Sequence, residues 1–321
     1  MRKFERHRGV HGDMTANVMI LSAAVLSTAP ATGLFPPDVK TVGIVSISSV
    51  LPKEKFVFGT NVIAKAGYRL KIAPNVQGPK VEPPETRARL LEQAWMDPEI
   101  DLLLFSRGGV GAEDVLPLLD WAKLRKRDMR VVGFSDLTLL LNAMLVKGAG
   151  HPYSGPSLAS FMSWTDASRE WFSKTLAGDP VWDVKTKPLK PGVAKGLPMG
   201  GHITRMHSLF RKGLVTKASG RIVFLECTAR HVAAMVTSDL EEMRDGGFFK
   251  DAAAVVFADF RHKGEERRAI NDFLKEFAKT LPCPVFSGYP YGHIPGSLLI
   301  DFRREASISQ DGVVSWCSTT K

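Results

Sequence analysis

The stretch RVVGFSDLTLLLNAMLV, residues 130–146, passes from a β-rich apolar pattern through Ser135-Asp136 directly into a helical one. A serine between an apolar strand and a helix, with the small Gly133 two positions before it, has the layout of a nucleophile elbow. In such a turn the hydroxyl stands at the C-terminal edge of a sheet, and the next backbone N–H, here that of Asp136, can face an oxyanion. The second glycine usual after such a serine is absent, because Leu137 stands there. On the bare motif, an ordinary helix cap formed by Ser135 or Asp136 is the competing reading.

Outward from this stretch, β-rich runs at Thr41–Ile47, Arg69–Ala73, Asp101–Phe105 and Arg130–Phe134 alternate with helical patterns at Lys53–Ala66, Glu85–Met96 and Asp136–Val146. This alternation is the signature of βαβ units and a parallel sheet. The Val, Ile and Leu content of the runs predicts strands buried on both faces. Residues 40–165 therefore read as an α/β domain with a flavodoxin-like or Rossmann-like parallel sheet. Ser106-Arg107-Gly108-Gly109-Val110-Gly111 follows the third run. Glycines there let backbone N–H groups approach a ligand closely, as a phosphate cradle or as half of an oxyanion hole; alternatively they only make a tight turn. The loop lacks the Lys-Ser/Thr of a P-loop and the full spacing of a dinucleotide site. Both loops fall at strand C-termini, where open α/β sheets bind ligands.

Pro180, Pro188, Pro191 and Pro198, with Gly178, Gly192 and Gly196, interrupt the pattern and predict a linker over 166–198. Beyond it, residues 199–321 read as a smaller, mixed, β-rich domain. Helical patterns lie near 203–214, 232–243 and 266–279, and β-rich runs near 221–225, 253–257, 284–286, 297–301 and 306–309.

Composition narrows the class. With 44% hydrophobic and 24% charged residues in 321, the chain has the balance of a globular protein with a core to bury. A formal charge of +10 favours anionic partners. The one basic run, Lys123, Arg125, Lys126, Arg127 and Arg130, has no interleaved aromatics to stack on bases, so it reads as a solvated loop and not as a nucleic-acid site. Cys227, Cys283 and Cys317 are too few and too far apart for a paired-cysteine zinc motif or a disulfide framework, and no metal follows from them. At the N-terminus, Arg2, Lys3, Arg6 and Arg8 precede an apolar stretch from Val18 to Leu26 and the small-residue run Ala29-Pro30-Ala31. That pattern predicts an export signal over 1–31 and a periplasmic protein; a disordered extension on a cytoplasmic protein is the alternative. No other stretch reaches the roughly eighteen apolar residues that span a bilayer, so stable membrane insertion is not expected.

Taken together, RGGVG at 107–111 followed by Leu116, Pro117, Leu119 and Asp120, then GFSDLT at 133–138, resemble the LD-carboxypeptidase and microcin C immunity peptidase family. Gly155-Pro156 resembles its HGP element with Ser154 in place of the histidine, and Gly200-Gly201-His202 resembles its GGN element. GRIVFLE at 220–226 is similar to its strand ending in a glutamate, 254–260 to its next core strand, and Gly292-His293 to its histidine segment. The resemblance implies a serine peptidase with Ser135 as nucleophile, His293 as general base and Glu226 orienting the histidine. Gly109 and Asp136 would supply oxyanion N–H groups, and Arg107 and His202 would contact substrate. It also implies a homodimer, no cofactor, and a murein tetrapeptide substrate that loses its terminal D-alanine. A peptidyl-nucleotide conjugate, or binding of muropeptide without turnover, are the alternatives. Taken singly, Glu226 reads as a surface or salt-bridged residue and His293 as a loop histidine. Cys227 in place of an acidic residue, Val110 in place of an aromatic one, and the absence of a Pro-Ser pair in 46–52 depart from the family pattern and bear on specificity.

Overall fold

Residues 33–318 are described in the computed structural model, and the predicted export segment at 1–31 lies outside them. The alternating first part folds into β1 (Thr41–Val45), β2 (Arg69–Ile72), β3 (Leu102–Phe105), β4 (Arg130–Gly133) and β5 (His151–Ser154). They pair in parallel in the order β2-β1-β3-β4-β5, the flavodoxin-like arrangement. β1 and β3 are buried on both faces, as their aliphatic runs predict. β2 is not: it is the sheet's edge, and Arg69 and Ile72 are exposed. The order changes direction between β1 and β3, so a crevice opens where the loops after β1, β3 and β4 leave the sheet.

The rest of the chain supplies β6 (Val184–Lys185), β7 (Lys187–Lys190), β8 (Ala194–Gly196), β9 (Pro198–His202), β10 (Ile222–Cys227), β11 (Ala254–Phe260), β12 (Val285–Tyr289), β13 (Ile300–Asp301), β14 (Ala306–Ile308) and β15 (Val313–Trp316). A second sheet has the order β7-β12-β11-β10-β9, parallel except for β7 at its edge, and a third, β6-β15-β14-β8, is antiparallel throughout. β13 returns to the first sheet and pairs antiparallel with β5. The helix Thr138–Lys147 packs against β9 and against the helix Ile203–Arg211, joining the first two sheets. Asn142 makes that junction specific: its amide donates to the Gly200 carbonyl at 2.8 Å and accepts from the Gly200 N–H at 3.0 Å.

The stretch 166–198 is not a plain linker. It holds the helix Asp166–Ala177, opened by a reciprocal Thr165–Ser168 capping box, whose Trp171, Phe172 and Leu176 are buried, followed by β6, β7 and β8. The prolines and glycines that suggested a linker punctuate these short elements: Gly178 ends the helix at φ 75°, and Pro188 lies in the edge strand β7, where a missing N–H is tolerated. The basic run is also less free than a solvated loop. Arg127 donates to the Trp95 carbonyl at 2.7 Å, and Lys123 and Arg130 pair with Glu92 and Asp38. Among the described residues, no helix is long and apolar enough to cross a membrane.

Candidate active site

The turn after β4 differs from a helix cap in its backbone. Phe134 is extended, and Ser135 then takes φ 63°, the one left-handed non-glycine among the described residues. An L-residue held there costs about 1–2 kcal/mol, which the surrounding packing must offset. Neither Ser135 nor Asp136 caps the helix that follows. The Asp136 carboxylate is buried and used elsewhere: Oδ2 accepts from Ser48 Oγ at 2.7 Å and from the Ala112 N–H at 2.9 Å, and Arg205 Nε lies 2.9 Å from Oδ1, close enough for an ion pair but off the hydrogen-bond direction. Left-handed strain at a serine between a strand and a helix fits the layout of a nucleophile elbow, and the Asp136 carboxylate ties the loops after β1 and β3 to this turn.

The second sheet brings the other two residues to this turn. Glu226, next to last in β10, is fully buried, and the β10–β11 and β11–β12 ladders each slip register beside it. Such slips re-aim side chains at a sheet edge. His293 Nδ1 is 2.6 Å from Glu226 Oε2, and His293 Nε2 is 3.1 Å from Ser135 Oγ. A carboxylate can only accept, so Nδ1 carries the proton and Nε2 presents its lone pair to the serine hydroxyl. Gly292, at φ 126°, presses on the glutamate, and an added Cβ would fall 3.1 Å from Glu226 Cβ. The Arg261 guanidinium donates to the His293 carbonyl, and the Phe134 ring is 4.6 Å from the imidazole. Glu226 is therefore not the surface residue that its strand-end position suggests when read alone.

The glycine loop closes over the serine. A Cβ on Gly108 would lie 2.7 Å from Ser135 Cβ and 3.0 Å from the Phe134 carbonyl, so no side chain fits there. Gly109, at φ 123°, gives its carbonyl to Arg205 Nη2 at 3.2 Å, while Ser49 Oγ accepts from the Val110 N–H at 3.2 Å.

The cleft around these residues has a volume of about 600 Å³. Lys55, Arg107, Arg205, Arg230 and Arg261 line it, and among the described residues no aspartate or glutamate does. Arg107 is half-buried and donates to the Val50 carbonyl at 3.0 Å. His202 is almost fully buried at the end of β9, its ring 5.7 Å from that of His293, and burial pushes its pKa down to about 4, so it is neutral near pH 7. His151 is bound to Asp301 at 2.6 Å and lies outside the cleft lining. The sequence reading did not single out Arg205, Ser49, His231 or Trp164. Arg205 had one available signal, its place one helical turn beyond His202. Ser154, standing where a histidine was expected, pairs with Tyr291 at 2.7 Å behind the Gly292-His293 segment.

Residues 42–153 match the model of the LD-carboxypeptidase N-terminal domain, and residues 195–308 match that of the C-terminal domain. A Bacillus subtilis protein named probable murein peptide carboxypeptidase is 21% identical over 286 residues, covering 84% of this chain and 88% of its own length. The crystal structure of a muramoyltetrapeptide carboxypeptidase from Oxalobacter formigenes is similar at TM-score 0.77 and 22% identity, covering 86% of this chain and 98% of that one. The microcin C7 self immunity protein MccF, in complex with aspartyl sulfamoyl adenosine, is similar at TM-score 0.77 and 19% identity, with 88% and 97% covered. With both of its domain models matched in order across most of the sequence, the chain belongs to the LD-carboxypeptidase family.

Proposed function

We propose that the protein is a serine carboxypeptidase that hydrolyses the L,D amide bond of murein tetrapeptides and releases the terminal D-alanine. The observation that carries this reading is the unbroken line Ser135 Oγ–His293–Glu226, at 3.1 and 2.6 Å, at the floor of a cleft lined by cations. In the reaction, Ser135 Oγ adds to the carbonyl carbon of the scissile amide as its proton passes to His293 Nε2. The same proton then goes to the departing amine of D-alanine. Water, deprotonated by His293, hydrolyses the acyl-serine and restores the hydroxyl. The buried Glu226 carboxylate holds the productive tautomer and stabilises the imidazolium. The Gly109 and Asp136 N–H groups receive the oxyanion. A tetrapeptide carries a free terminal carboxylate and further carboxylates along its length, and a lining with five cations and, among the described residues, no carboxylate suits it. The names of the Bacillus subtilis and Oxalobacter formigenes relatives support the same substrate class.

A second reading, hydrolysis of a peptidyl-nucleotide conjugate, is favoured by Trp164, an aromatic ring in the cleft lining on which a base could stack, and by the complex of the MccF relative. Both substrates use the same serine, so one experiment separates the readings: turnover of a murein tetrapeptide and of an aminoacyl sulfamoyl adenosine at equal concentration, beside covalent labelling of Ser135 by a serine-directed phosphonate. Faster alanine release with labelling supports the murein reading; faster nucleotide-conjugate cleavage replaces it. No labelling of folded protein would make the chain a binding relative without turnover. We also propose export and a homodimer, tested by the N-terminal residue of protein recovered from the periplasm and by sedimentation of the purified chain.

A further inference from the structure

Two of the departures from the family pattern, His202 and Cys227, meet in space. His202 ends β9, Cys227 ends β10 beside it, and His231 follows in the loop after β10. Cys227 Sγ is 4.0 Å from His231 Nδ1, the His202 and His231 rings are 5.0 Å apart at 64°, and one ligand atom from each of the three residues lies within 4.8 Å of the others. Neither Cys227 nor His231 takes part in the proposed peptidase reaction. A buried cysteine alone is more often a small apolar residue. Two imidazoles converging on it are the donor set of a soft metal ion.

We propose that His202, Cys227 and His231 form a binding site for a thiophilic divalent transition ion of the zinc class, on the wall of the cleft next to His293. A tetrahedral zinc with bonds of about 2.0–2.1 Å to nitrogen and about 2.3 Å to sulfur has ligand–ligand edges of roughly 3.3–3.6 Å. With the donor atoms within 4.8 Å of one another, each edge closes onto such an ion by about 1.5 Å or less. His231 can supply that movement, since it is half-exposed on a loop, whereas the other two donors are fixed in the sheet. His202 is prepared for it. Thr204 Oγ1 sits 3.0 Å from its Nδ1 and the Thr138 hydroxyl accepts its backbone N–H at 3.0 Å, which leaves Nε2 as the ligating nitrogen. The His262 ring bonds to the His231 carbonyl and holds the loop from behind. Burial raises the Cys227 thiol well above its usual range and keeps it protonated without an ion; a bound cation reverses that balance and releases the proton. His202 and His231 both line the cleft, so the fourth position opens toward bound water or a substrate carboxylate.

Binding can be read without any peptidase substrate, so the result does not depend on the proposed reaction. The full-length chain, stripped of metal and kept reduced, would be titrated with cobalt(II), and the thiolate-to-cobalt charge-transfer absorption followed; zinc would then be added in competition. The expected result is one equivalent of cobalt with thiolate absorption, displaced by zinc, abolished in Cys227→Ser, weakened at least tenfold in His231→Ala, and kept in Cys283→Ser and Cys317→Ser. Cys227 is in the core and its serine variant could fail to fold, whereas the half-exposed His231 can be changed without disturbing packing. An absence of thiolate absorption in the wild type, or binding unchanged in His231→Ala, would overturn the proposal.

Discussion

Replacing Glu226 by glutamine removes one charge from the buried end of the Ser135–His293–Glu226 line and leaves its shape nearly intact. The carboxylate is fully buried and 2.6 Å from the imidazole, so little solvent screens it. With the carboxylate and imidazolium charges about 4 Å apart and an effective dielectric constant of about 20, the lost attraction is about 4 kcal/mol. The imidazolium forms only on the way to the transition state, so this loss falls on kcat and amounts to about a thousandfold. A stability cost accompanies it. Glu226 Oε1 has no hydrogen-bond partner among the described residues, so a glutamine that keeps its oxygen on His293 places an amide donor where none of them offers an acceptor, at about 1–3 kcal/mol. Glu226→Gln is therefore expected to melt a few degrees lower and to fall by about three orders of magnitude both in alanine release from murein tetrapeptide and in the rate of Ser135 phosphonylation. A well-folded variant within tenfold of wild type in both assays would refute Glu226 as the residue that orients His293.

Other substitutions test the elbow, the junction and the cleft. Ser135→Gly removes the left-handed strain as well as the hydroxyl, whereas Ser135→Ala removes only the hydroxyl; the glycine variant should be more stable than the alanine variant by about 1 kcal/mol in denaturant unfolding, and a less stable glycine variant would contradict the strained turn. Asn142→Ala leaves both backbone groups of Gly200 without their partner and should cost about 2–4 kcal/mol in the same measurement, with a loss under about 1 kcal/mol counting against the junction. Arg230 lines the cleft with an exposed guanidinium, so Arg230→Gln should raise KM about two- to fivefold, leave kcat within about twofold and flatten the salt dependence of KM; an unchanged KM would remove it from anion recognition.

The first sheet was legible because its central strands are short aliphatic runs bounded by loops, a pattern that burial on both faces imposes. The elbow was legible as a position but not as a conformation: VGFSD marks where the strand ends, while the left-handed φ of Ser135 depends on Asp136 being held from three sides by Ser48, Ala112 and Arg205, which lie far apart in sequence. The helix Asp166–Ala177 carried a readable signal in Thr165, Ser168, Trp171, Phe172 and Leu176, and the surrounding prolines masked it. β9 was harder to see. Its sequence PMGGH opposes strand formation locally, and the strand exists because β10 pairs with it, Asn142 bonds Gly200 and Thr138 accepts the His202 N–H from the neighbouring helix. In the sequence Glu226 and His293 are singled out only by the order of several modest motifs, since neither residue signals its burial or its partner alone. His231 was not found, because its meeting with Cys227 and His202 exists only once β9 and β10 lie side by side.

Attack by Ser135 on the bond before a terminal D-alanine can be followed by mass spectrometry of a murein tetrapeptide incubated with the purified protein and, in parallel, with Ser135→Ala. Loss of one alanine from the peptide is expected with the wild type, and an intact peptide with the variant. Release by both proteins would contradict Ser135 as the nucleophile, and release by neither, from folded protein, would contradict the substrate.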